Sequence, residues 1–189
     1  MGESEFPMKN FLPIVASAVM VVSLTSARAE TKTLHYPTQD TTMFSIDAPA
    51  AWEVTEIESV GDFGSLESEN GSVLQFRAQE FETEDEAKKE VDSVVESTFE
   101  FLQENYTDIN LEDPKEVTIE GQPGMQVTGV GKDKEGNAVQ FLSAIVALGP
   151  KTVAEIWAAV FPEGEGNNDL AAAQAVLQSF KPTGSSGGE

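Results

Sequence analysis

Two apolar runs late in this 189-residue chain, residues 137–148 and 151–161, constrain its fold more than any other feature. The first carries Val139, Phe141, Leu142, Ala144, Ile145 and Val146; the second carries Val153, Ala154, Ile156, Trp157 and Val160. A strand alternates its side chains between two faces, so apolar residues at consecutive positions put hydrocarbon on both. Such strands belong at the centre of a sheet that is covered on each side. Only Gly149-Pro150 separates the runs, so the pair is antiparallel. A layered architecture follows, with a sheet in the middle.

The rest of the chain supplies further strands and the covers. Residues 43–48, Met-Phe-Ser-Ile-Asp-Ala, alternate like a half-buried strand, and Pro49 stops them. Ala50 to Val54 lead into a second short extended piece, in which Trp52 reads as a packing residue. Residues 64–81 predict a hairpin around Glu69-Asn70-Gly71. A two-residue turn would oppose Leu66 to Gln75, whereas a three-residue loop ending in a left-handed Gly71 pairs Leu66 with Leu74. The three-residue loop keeps Leu66, Leu74 and Phe76 on one face. Residues 115–120 and 124–132 are two more runs, bounded by Gly121-Gln122-Pro123-Gly124 and Asp133-Lys134-Glu135-Gly136. Short breaks of this kind make an antiparallel meander of the four runs.

Thr83-Glu84-Asp85-Glu86 is a capping box, which opens a helix expected to run over 84–105. Ala87, Val91, Val94, Val95, Thr98, Phe101 and Leu102 form its apolar stripe, opposite an acidic face of Glu90, Asp92, Glu96, Glu100 and Glu104. Asn167-Asn168-Asp169 offers the N-cap of a final helix over 169–180, with Leu170, Ala173, Val176, Leu177 and Phe180 on one side. Pro182 ends it, and residues 183–189 are a flexible tail.

The N-terminal region is an address. Lys9 is a basic n-region, residues 11–24 are an apolar h-region, and Ala27-Arg28-Ala29 is a small-x-small cleavage site. The apolar run falls short of the ~20 residues needed to span a bilayer. Residues 1–7 carry two acids where a signal peptide wants bases, and read as an added leader or a start assigned too early. The expected organisation is therefore 1–7 leader, 8–29 signal peptide cleaved after Ala29, 30–42 N-terminal segment, 43–182 single domain and 183–189 tail. Removing 29 residues leaves 160, a normal size for one core. Cysteine is absent, so there is no lipobox attachment, and a periplasmic or secreted protein without a membrane anchor is expected.

Glu3, Glu5, Lys9 and Arg28 all fall within residues 1–29, so the mature part keeps the whole chain's net charge of −22. That field repels nucleic acid and anionic lipid; the partners it would attract are cationic, namely a basic protein surface, a polyamine or metal ions. Solubility in a salty or marine setting is the plainer reading of the same charge. His35 is the only histidine and no G-x-S-x-G elbow exists, so a nucleophilic triad finds no support. No phosphate-cradling glycine motif follows a strand. Carboxylates are plentiful, but a catalytic one needs burial or a like-charged neighbour to raise its pKa. Calcium asks for clustered oxygens on flexible loops. Glu163, Glu165, Asn167 and Asp169 form the candidate calcium loop, and residues 133–137 offer a few oxygens more. Neither has EF-hand spacing. Helix-initiating loop and hairpin turn are the competing readings. Asn70 and Asn105 head glycosylation sequons, which the bacterial look of the signal peptide leaves idle.

The order of strand, hairpin, long helix, four-strand meander and terminal helix resembles the Mog/PsbP-like α/β/α sandwich. So do Phe-Ser-Ile-Asp-Ala-Pro-Ala-Ala-Trp from Phe44 and Val176-Leu177-Gln178-Ser179-Phe180 near the end. Within that fold the chain looks most like the small exported DcrB-like bacterial proteins. The resemblance implies an α+β domain with a central antiparallel sheet and two covering helices. Photosystem II extrinsic subunits, a Ran-binding import factor and secretion chaperones share this fold, so it assigns no activity. No functional residue is carried over, and the missing cysteine departs from a DcrB-like lipoprotein. The expectation is a monomeric, non-enzymatic accessory or binding module that meets a protein partner. A calcium-responsive protein and a carboxylate-dependent hydrolase are the alternatives.

Overall fold

A computed structural model of the chain describes residues 30–183 apart from Glu56, Glu58 and 163–166, and apart from the side chains at 92 and 94–97. The expected signal peptide, with its expected cleavage site at Ala27 and Ala29, and residues 184–189 of the expected tail lie outside the described residues.

The chain runs β1 (Thr31–Tyr36), β2 (Phe44–Pro49), β3 (Glu53–Thr55), β4 (Gly64–Glu67), β5 (Val73–Glu80), α1 (Glu84–Asn105), β6 (Thr107–Leu111) and β7 (Lys115–Ile119). It continues with β8 (Gln122–Lys132), β9 (Ala138–Gly149), β10 (Thr152–Val160), α2 (Asp169–Gln178) and β11 (Lys181–Pro182). An eight-stranded antiparallel sheet has the order β3-β4-β5-β10-β9-β8-β6, with β7 also on β8. The doubly apolar strands β9 and β10 sit at its centre, as their sequences require.

Register sorts the side chains into two faces. Gln126, Ala144, Ile156, Phe76 and Gly64 form one row across five strands; Thr128, Leu142, Ala158, Leu74 and Leu66 form the next. This face packs on α2 and on the aromatic residues of β1 and β2 in the main core. Tyr36, Phe44 and Phe180 stack in sequence with 4.9 Å between centroids at each step. The opposite face carries Met125, Ile145, Glu155 and Arg77 in one row, and Val127, Ser143, Trp157 and Gln75 in the next. Here α1 packs with Ala87 against Ile145 and Val153, and with Leu102 against Val139, Phe141 and Ala159.

The hairpin loop and the long helix follow the sequence closely. Leu66 pairs with Leu74, Gly71 is left-handed at φ +82°, and the Ser68 amide donates to the Ser72 carbonyl at 2.9 Å. Thr83 caps α1 by accepting from the Glu86 amide, while the Glu86 side chain accepts from the Thr83 amide.

Five details differ from the sequence reading. The third layer is not helix alone, because β1, β2 and β11 form a small sheet beside α2. Residues 31–36 are a strand, since Leu34 and Tyr36 need only two positions to reach the core. Residues 107–111 are a strand interrupted by Asp108 at φ +52°, where the register shifts and alternation is lost. The turn after β7 is Glu120-Gly121, and β8 already holds Pro123, one residue before pairing with β9 begins at Gly124. A missing N–H costs least there. Finally, α2 stops at Gln178 with Ser179 as C-cap, and Phe180 reaches the core from beyond the helix.

Candidate functional site

Glu120 and Gly121 both have positive φ, at 49° and 82°, which makes a tight two-residue turn of the favoured hairpin hand. It holds β7 as a regular arm on the outside of β8, with Val117 opposite Gly124 and Ile119 opposite Gln122. Among the described residues β7 pairs with β8 alone, so its outer edge is open. Sheet edges are usually blunted by shortness, charge, proline or bulges. At the far edge β3 has three residues and begins with Glu53, and β6 is broken at Asp108. Lys115 and Glu116 protect only the start of β7; Val117-Thr118-Ile119 are uncharged and β-branched.

The two helices cover the centre of the sheet and leave this corner overhanging. A cleft of about 600 Å3 therefore lies on each side of β7. On the α1 side it is lined by Val91, Glu116, Thr118, Pro123, Met125, Ile145 and Ala147. It continues through Val91, Pro123 and Ala147 into a cleft of about 400 Å3 beside Glu84 and Lys88. On the α2 side the lining is Val117, Ile119, Glu120, Gln126, Thr128, Leu142, Ala144, Gln174, Leu177 and Gln178. One side is largely hydrocarbon and the other is rich in side-chain amides. Lys115 on this edge is neutralised by Glu112 at 2.7 Å.

A buried carboxylate lies under α1. Glu155 accepts from Arg77 Nε at 2.8 Å, and Arg77 also faces Glu90 at 3.9 Å and covers the Phe63 ring at 4.5 Å. Burial pushes the Glu155 carboxyl above its ordinary range; the Arg77 charge and hydrogen bond oppose this, and Glu90 adds to it. The sequence held no sign of this row, because Arg77 and Glu155 are brought together only by the pairing of β5 with β10. Neither residue lines the clefts beside β7. His35 lies in β1 with Nδ1 at 3.4 Å from Thr42 Oγ1.

Of the calcium-loop residues, Glu163 and Glu165 lie outside the described residues. Asp169 is buried, accepting from Ser68 Oγ at 2.6 Å and from Asn70 Nδ2 at 3.3 Å. Asn167 Oδ1 accepts from the Asp169 amide at 2.8 Å, and its Nδ2 donates to the Phe161 carbonyl at 2.6 Å. These contacts tie the start of α2 to the hairpin loop. In the 133–137 turn, Asp133 accepts from the amides of Glu135 and Asn137 and from Asn137 Nδ2. Partial desolvation pushes the Asp133 carboxyl up, but these donors together hold it below its ordinary range. The turn meets Asn70, Phe161 and Asn167 around a polar cleft of about 500 Å3. Among the described residues no group of three or more His, Cys, Asp or Glu is arranged to hold a metal ion. Nor is any described helix long and apolar enough to cross a membrane.

No protein-family model matches the chain, and no curated protein matches its sequence. Among solved structures, cyanobacterial PsbP from a Synechocystis species matches with TM-score 0.52 and 12% identity, over 84% of this chain and 95% of that one. The chain has a PsbP-like fold. Two looser matches are LpqN of Mycobacterium tuberculosis, involved in cell envelope biogenesis, and a Pseudomonas aeruginosa protein of unknown function. LpqN gives TM-score 0.44 and 13% identity over 80% of this chain and 90% of its own. The Pseudomonas protein gives 0.42 and 12% over 81% and 97%. Within the PsbP-like architecture, the Mog/PsbP resemblance read from the element order holds, and the α+β class with it.

Proposed function

We propose that this chain is an exported, non-enzymatic accessory module that grips a segment of a cationic protein partner at the β7 edge. The observation that carries this reading is the open edge of β7 with a cleft on either side. An edge offers main-chain hydrogen bonds, and flanking clefts offer side-chain selectivity. The net charge of −22 selects a basic partner and speeds its encounter. Export rests on the signal-peptide pattern ending at Ala29. A binding role rather than hydrolysis is supported by Glu155, whose carboxylate is engaged by Arg77.

Affinity capture with the mature protein from a periplasmic extract tests this, at low and high salt. A specific partner retained at low salt and released as the field is screened is the expected result. Hydrolase turnover by the purified protein that disappears on replacing a single Asp or Glu would overturn it.

A further inference from the structure

We propose that the β7 edge binds an extended segment whose side chains alternate between apolar and cationic, added as a further strand of the sheet. This rests on the binding-module reading and names what the module takes. Residues along a strand point alternately to the two faces, and neighbouring strands lie about 4.8 Å apart. A strand laid against Val117-Thr118-Ile119 therefore sends odd side chains toward one cleft and even ones toward the other. The clefts differ. Val91, Met125, Ile145 and Ala147 on the α1 side suit an aliphatic side chain. Gln126, Gln174, Gln178 and Glu120 on the α2 side offer amide and carboxylate oxygens to an ammonium or guanidinium group. Gln174 and Gln178 are exposed and one turn apart on α2, so both face the same incoming side chain.

The charge of the chain decides between occupants. A second copy could pair edge to edge through β7, but it would bring another net −22 against the first. A cationic segment gains where a second copy loses.

The test uses the capped peptide Lys-Val-Lys-Val-Lys-Val-Lys, with Lys-Lys-Lys-Lys-Val-Val-Val as a control of equal composition. Binding is read by fluorescence anisotropy and backbone pairing by amide hydrogen exchange. The alternating peptide should bind more tightly than the block peptide and slow exchange within Val117–Ile119. The double variant Gln174→Lys/Gln178→Lys places two like charges in the α2-side cleft. It should weaken binding by about fivefold at low salt, the scale of exposed charge pairs, with the circular dichroism spectrum unchanged. Gln174→Glu/Gln178→Glu should tighten it. Equal binding of the two peptides, or binding that leaves β7 exchange untouched, overturns the proposal. So does a β7 edge that is already protected in a concentration-dependent dimer of the free protein. The two readings fail separately. A salt-sensitive partner captured without any change at β7 sinks the strand-addition proposal and spares the binding module. Hydrolase turnover lost with one carboxylate sinks the module, whatever β7 does.

Discussion

Replacing Arg77 with methionine should destabilise the protein by about 2–3 kcal/mol near neutral pH. Methionine keeps much of the aliphatic volume, so the loss isolates the charge. Breaking a buried ion pair from one side costs about 3–5 kcal/mol. The Glu155 side chain is only 9% exposed, but Arg77 is 23% exposed, and that access to solvent moves the expectation to just below this range. With a typical urea slope of about 2–3 kcal/mol per M, the unfolding midpoint should fall by about 1 M. Trp157, on the same sheet face as Arg77 and Glu155, reports the transition by fluorescence. The effect should depend on pH with a definite sign. The Glu155 carboxyl already titrates above its ordinary value when folded, and it rises further once Arg77 is gone. A group whose folded pKa is raised makes the folded state the better proton binder. Acidification from above the folded pKa toward the ordinary value then adds stability, and adds more in the variant. The deficit of Arg77→Met should be full at about pH 8 and shrink by about pH 5. Adding Glu155→Gln should restore most of the loss. A deficit that is constant with pH, or a double variant no more stable than Arg77→Met, refutes the account of this row.

Two further substitutions probe the ties at the helix starts. Thr83→Ala removes the side chain that accepts from the Glu86 amide at 3.2 Å and should cost about 1 kcal/mol in urea unfolding. Asp169→Ala leaves the buried Ser68 hydroxyl, which still accepts from the Asn70 and Ser72 amides, without an acceptor for its own proton and loosens Asn70, so a loss of about 2–3 kcal/mol is expected. Because Ser68→Ala breaks the same 2.6 Å bond, a double-mutant cycle should give less than the sum of the two losses.

Local chemistry was legible in the sequence wherever neighbours in the chain supply the partners. The Thr83 and Glu86 capping box located the start of α1, and facing leucines chose the loop at Gly71. Where the local pattern is broken, the elements were missed: Asp108 interrupts the alternation of β6, and β1 reaches the core with too few apolar residues to show a period. The candidate site was hidden for a different reason. Nothing in Lys115–Ile119 says that β7 lacks an outer neighbour; that depends on which strands fill the other places in the sheet. The opposition of Gln174 and Gln178 to Gln126 likewise joins residues about 50 apart in the chain, on α2 and β8.

The position of β10 between β5 and β9 carries a consequence for how the molecule is made. Glu80 pairs with Thr152 and Val73 with Ala159, so among the described residues the two halves of the sheet join only through the last strand of the meander. Until the chain has been supplied to about Val160, the early hairpin and the later strands are separate fragments, each ending in an unpaired apolar edge. Closing so long a loop is intrinsically slow, and exposed edges invite association in the meantime. Any product truncated before β10 would thus hold two half-sheets with open apolar edges, so the seam at β10 is where a holding chaperone has most to protect.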